Sequence, residues 1–114
     1  MAPDSAKYLW DALQAAERAG RFVQGKTFAD YLQDELLRSA VERQVEIVGE
    51  ALGQLRKVDP TTAATIADLP QAVGLRNVLV HAYATVNDKL VWGVVEQHLA
   101  PLCERLKALL DTAS

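Results

Sequence analysis

Apolar residues recur every three or four positions along most of the chain and nowhere keep up a strand-like alternation, so the pattern predicts helices. Leu9, Ala12, Leu13, Ala16, Ala19 and Val23 form the buried stripe of a first helix over about residues 4–23, with Asp4 or Ser5 as its cap. A second helix begins near Thr27, where Thr27 and Asp30 stand at capping-box spacing, and runs to about Val58 with a bend near Asp34. Val41, Val45, Val48, Leu52 and Leu55 make one of its faces, and Leu36, Ala40, Ile47 and Ala51 a flanking one. So wide a stripe predicts burial on two sides, as in a bundle that also dimerises. Gly49 and Gly53 interrupt it one turn apart. Each costs about 1 kcal/mol of helix propensity relative to Ala, and close approach of another helix explains them.

Asp59-Pro60, a cap residue followed by proline, starts a short helix. Pro70 opens another over about residues 71–83. Asn87 or Asp88 caps a last helix reaching toward Asp111, which Pro101 kinks near Gln97. The short connections favour antiparallel neighbours. The expectation is an all-α, single-domain bundle of four to five helices spanning the 114 residues.

Composition narrows the function classes. Half the residues are hydrophobic and 24% are charged, as in a globular chain. No apolar run approaches the roughly 18 to 20 residues of a membrane span. The amphipathic first 25 residues lack the apolar stretch of a signal peptide, so a cytoplasmic location is expected. Cys103 is the only cysteine, which excludes an intramolecular disulfide and a four-cysteine zinc site. His81 and His98 are the only histidines, no ligand motif surrounds them, and neither metal nor cofactor is expected. The net charge of −3 is not that of a nonspecific nucleic-acid binder. If this chain handles RNA, the positive potential must be concentrated in a cleft.

The stretch from Gly74 to Tyr83 carries the candidate chemistry. Wound at about 100° per residue, it turns Leu75, Val78, Leu79 and Ala82 toward the core. Arg76 and Tyr83 project together, and Asn77 and His81 project together one turn apart. Between these polar flanks lies a second apolar strip, Val73, Val80 and Ala84, which a two-fold partner would cover. Arg76 and His81 point about 140° apart on a regular helix. The long arginine side chain, a break near His81, or a dimer could join them.

Arg76, His81 and Tyr83 resemble the R-x4-H-x-Y motif of the HepT-like proteins of the HEPN superfamily. Asn77 matches the polar residue that commonly follows that arginine. The resemblance extends to Arg43-Gln44-Val45-Glu46-Ile47-Val48-Gly49-Glu50-Ala51, to Gly74-Leu75-Arg76-Asn77 and to Val91-Trp92, and so covers nearly the whole chain. It implies a HEPN-like homodimer and a metal-independent endoribonuclease acting as the toxin of a toxin–antitoxin pair. Its implied partner is a small nucleotidyltransferase antitoxin of the MNT type, which can transfer AMP to Tyr83. The chemistry suits the residue types. Histidine titrates near neutrality and can take the proton of a 2′-hydroxyl or protonate the leaving 5′-oxygen. Arg76 can hold the charge that builds on the phosphate, and Asn77 can hold the phosphate or orient His81. The alternative is a noncatalytic HEPN dimer that binds a nucleotidyltransferase or a nucleotide, a reading that the acidic net charge keeps open. A plain helical interaction domain is the third.

Other residues read as structural. Glu42, Glu46 and Glu50 recur every four positions as a solvated face, or as an acidic contact to a basic partner or to Arg76. His98 reads as structural or exposed and Cys103 as a core thiol. Tyr8, Trp10 and Trp92 read as packing aromatics, with base stacking as the functional alternative.

Overall fold

The computed structural model describes residues 1–81 and 87–113. Its elements are α1 (Ser5–Val23), α2 (Phe28–Gln33), α3 (Glu35–Val58), α4 (Pro60–Ala63), α5 (Leu69–His81), α6 (Asp88–Gln97) and α7 (Leu99–Ala113). Among the described residues there are thus seven helices and no strand. This all-α chain has more elements than the four or five expected because two long helices are each divided.

Both divisions have local causes. At Asp34 the backbone is extended, and its carboxylate accepts a 3.0 Å hydrogen bond from the Leu37 amide, so the expected bend is a stop followed by a new cap. At the other, α6 ends at Gln97 and α7 starts at Leu99. Pro101 has no N–H to offer the Gln97 carbonyl four residues back, which breaks the ladder at that point.

The remaining caps follow the chain's punctuation. Thr27 and Asp30 form a reciprocal capping box at α2, with bonds of 3.1 and 2.9 Å. Asn87 caps α6 by accepting from the amides of Lys89 and Leu90. Asp59 caps α4, whose first residue is Pro60. The start of α1 differs from expectation. The Asp4 side chain makes no capping bond, and the Ser5 hydroxyl donates instead to the Asp59 carboxylate at 2.6 Å, far along the chain.

α3 is the central element, packed against α1 on one side and α5 on another, with α7 lying along α1. One hydrophobic cluster joins Leu9, Leu13, Val41, Val45, Leu52, Leu55, Val91, Leu102 and Leu106. Fully burying a leucine or valine contributes about 1.5–3 kcal/mol, so this cluster dominates the stability of the bundle. The predicted stripe of α1 is buried except for Val23, which is partly covered. On α3 the principal face is buried as expected, but the flanking face opens toward its start, where Leu36 is 80% exposed. Trp92 packs with its ring centroid 5.3 Å from Tyr31 and 6.0 Å from Phe28. Trp10, expected to pack, is instead 54% exposed on α1. Cys103 is partly buried against the core, and burial pushes its thiol above the usual range. His98 serves structure as expected: its Nδ1 lies 2.7 Å from an Asp68 carboxylate oxygen. Among the described residues no helix is long and apolar enough to cross a membrane.

Candidate active site

The close approach of α3 and α5 positions the site. A Cβ on Gly49 would sit 2.7 Å from the Ala72 carbonyl oxygen and would run into Arg76 Cβ. Glycine is therefore required there, and it sets α5 so that Arg76 emerges directly across the α3 backbone. Gly53 answers a different need. Nothing lies within 4 Å of where its Cβ would be, and it lines a cleft instead. The expectation of close helix approach thus holds for Gly49 and not for Gly53.

That cleft, of about 230 Å³, runs between α3 and α5 and is lined by Gly49, Glu50, Gly53, Gln54, Arg56, Lys57, Val73, Arg76 and Asn77. Three cations converge on it, against the single carboxylate of Glu50. The local positive charge that a net-acidic RNA-handling chain would need is present here. Arg76 Nη1 donates to Asn77 Oδ1 at 3.3 Å. Arg76 Nε is buried and finds no hydrogen-bond partner among the described residues. A guanidinium held by one long bond keeps its other Nη donors for an anion such as a phosphodiester, whose two unbridged oxygens share one negative charge.

α5 remains helical through His81, which is exposed. The structure joins Arg76 to Asn77, and His81 follows Asn77 by one turn on the same flank. Arg76 and His81 therefore stay on different faces of one unbroken helix over this span. Of the predicted core face, Leu75 is buried and Leu79 partly so, but Val78 is 42% exposed. Of the strip assigned to a two-fold partner, Val80 is 41% exposed, whereas Val73 at 8% is buried within its own chain and has little surface left to offer. Tyr83, Ala84 and Ala82 lie outside the described residues.

Two side chains went unassigned in the sequence reading: Arg56 and Lys57 at the end of α3. Their signal was present as a spacing. Arg56 and Lys57 follow Gly49 by two helical turns, on the face that the glycines leave open. Of the acidic series, Glu50 lines the cleft while Glu42 is partly buried nearer the start of α3. Burial first, then the nearby Asp88, raises the Glu42 carboxyl above the usual range.

An all-helical chain with an arginine–asparagine pair in a basic cleft, and a histidine one turn further along the same helix, has the parts of a phosphodiester-handling protein. The profile of the Ribonuclease HepT-like family matches residues 12–109, and the chain belongs to that family of ribonucleases. It is 30% identical over 104 residues to a proposed RNase of Caldanaerobacter subterraneus subsp. tengcongensis, covering 91% of this chain and 92% of the other. A proposed RNase of Methanocaldococcus jannaschii is 29% identical, with 82% and 85% covered. A candidate ribonuclease HepT of Thermococcus cleftensis is 28% identical, with 90% and 92% covered. No solved structure is a significant match.

Proposed function

We propose that this chain, as one domain and as a homodimer in the cytoplasm, is a metal-independent endoribonuclease and the toxin of a toxin–antitoxin pair. The observation that carries the reading is Arg76: a guanidinium in a basic cleft, with a buried N–H unpartnered among the described residues. Family membership supplies the substrate class.

In the proposed reaction a ribose 2′-oxygen attacks the adjacent phosphorus as it loses its proton. The P–O5′ bond breaks, and the leaving oxygen takes a proton. The products are a 2′,3′-cyclic phosphate and a 5′-hydroxyl. His81 moves one of those protons, and Arg76 pairs with the phosphoryl oxygens as negative charge builds on them. Asn77, bonded to Arg76, fixes the guanidinium or contacts the phosphate itself. DNA lacks the 2′-hydroxyl and resists this route.

The separation of Arg76 and His81 around α5 supports the dimer. An isologous contact across Val80 would bring two copies of the motif to one cleft. The proposed antitoxin is a small nucleotidyltransferase that transfers AMP to Tyr83, adding a phosphate and bulk two residues beyond His81.

Cleavage of total cellular RNA in EDTA, with protein shown by mass spectrometry to be free of AMP, tests the reading. Wild type should cut, and His81→Ala should be slower by about 10²- to 10⁴-fold at equal folding. An unmodified wild type that cuts no RNA would leave the noncatalytic binding dimer as the better description.

A further inference from the structure

A second groove, of about 340 Å³, lies between α1 and α3. On α1 it is lined by Lys7, Trp10 and Arg18, and on α3 by Glu50 and Gln54. Glu50 and Gln54 also line the Arg76 cleft, so the two depressions adjoin across one turn of α3. Two features of the groove are unexplained by folding. Trp10 leaves 54% of its surface in solvent, although Leu9 and Leu13 on either side of it are buried in the core. Charge is the second. The two depressions together hold Lys7, Arg18, Arg56, Lys57 and Arg76 against only Asp11 and Glu50, in a chain with 15 acidic and 12 basic residues.

We propose that this groove is a subsite for single-stranded RNA flanking the scissile phosphate, with one base stacked on the Trp10 indole and its phosphates held by Lys7 and Arg18. Aromatic stacking plus a basic track is how proteins hold unpaired strands, because every base offers a π face and every linkage a charge. Asp11 and Glu50, which would repel phosphate, suit the amino edge of a base. The strand would then cross α3 over Glu50 and Gln54 and reach Arg76. The inference takes its ligand, RNA, from the ribonuclease reading, but its test does not use cleavage.

The test is binding of 2′-O-methyl oligonucleotides, which lack the attacking hydroxyl, measured by anisotropy for a dimer and an octamer. Trp10→Ala should weaken the octamer about tenfold, the loss of one stacked base, and leave the dimer unchanged. Lys7→Glu with Arg18→Glu should weaken the octamer further and flatten its salt dependence. Both sites are on the surface, and circular dichroism checks that the helices persist. Octamer binding by Trp10→Ala equal to that of wild type would overturn the subsite. So would a loss of self-association in Trp10→Ala by sedimentation, which would make the groove a contact between copies of this chain. Should Trp10-dependent binding hold while unmodified wild type cuts nothing, the subsite stands and the ribonuclease reading alone fails.

Discussion

Two polar side chains, Asp59 at the end of α3 and Arg76 on α5, are treated in opposite ways. The Asp59 carboxylate is buried and saturated: it accepts from the Ser5 hydroxyl at 2.6 Å, the Thr62 hydroxyl at 2.7 Å, and the amides of Thr62 and Ala2 at 3.1 and 3.2 Å. Arg76 has one 3.3 Å bond and a buried N–H with no partner among the described residues. Folding normally satisfies buried polar groups, since an unmet one costs about 1–3 kcal/mol. Asp59 follows the rule and ties the N-terminus to the start of α4. Arg76 breaks it on the wall of a basic cleft. The Tyr31 hydroxyl and Gln44 Oε1 are also buried and unpartnered among the described residues. What separates Arg76 from them is the basic cleft that it lines. An unmet polar group thus marks the site only where, as at Arg76, its side chain also lines a basic cleft.

If that contrast is right, mutation should split stability from activity. The largest effect is expected at the site. Arg76→Ala should lower kcat by about 10²- to 10³-fold, the scale of losing one preorganised donor to the developing charge. Its melting temperature should stay near that of wild type, because alanine keeps the Cβ that meets Gly49 and surrenders only an under-bonded head group. Thermal melts run beside single-turnover cleavage would decide it. A large fall in melting temperature would show that Arg76 is a structural residue after all.

The sequence made the architecture readable where one residue type allows one conformation. Thr27 with Asp30, Asp59 before Pro60, and Asn87 announce helix starts because their side chains can meet amides the helix leaves open. Helical periodicity exposed the core of α1 and α3 for the same reason: a regular helix repeats its faces. α5 was harder. Its apolar residues lie all around the helix, and the winding that put Leu75 in the core put Val78 there too, although Val78 is 42% exposed. Trp10 misled because a large apolar ring is usually core, and only the groove beside it shows otherwise. Arg76, Asn77 and His81 were identified through family resemblance. Their spacing alone does not bring Arg76 and His81 to one face. The spacing of Arg56 and Lys57 from Gly49 puts them on one face of α3, but only the packing of α5 beside that face makes it a cleft.

A second prediction addresses the joint that presents Arg76. Gly49→Ala should cost about 1–3 kcal/mol, because a methyl there meets the Ala72 carbonyl at 2.7 Å and α5 must move away. That shift displaces Arg76, so cleavage should fall as well. Gly53→Ala is the control: its Cβ would meet nothing within 4 Å, and the gain in helix propensity should stabilise the chain by up to about 1 kcal/mol. Denaturant melts of both variants measure the difference. Equal stability of Gly49→Ala and Gly53→Ala would mean that α3 and α5 are not held at the separation described.

The smallest effect is expected from Asp59, and it has a sign in pH. The Ser5 hydroxyl, then the hydroxyl and amide of Thr62, hold its carboxyl well below the usual range. A carboxylate with a depressed pKa in the fold contributes stability that is present above the unfolded value, near pH 4, and is lost as pH falls through the folded value. Asp59→Asn keeps an acceptor oxygen, but its amide nitrogen cannot accept from Ser5 or Thr62. The variant should therefore melt a few degrees lower than wild type at pH 7, and the gap should narrow as both are taken toward pH 2. Because Asp59 lies away from the Arg76 cleft lining, cleavage at a temperature where both are folded should not change. A gap that stays constant with pH would mean that packing at Asp59 matters and its charge does not. A loss of cleavage at full folding would remove the separation between the saturated residue and the unsatisfied one.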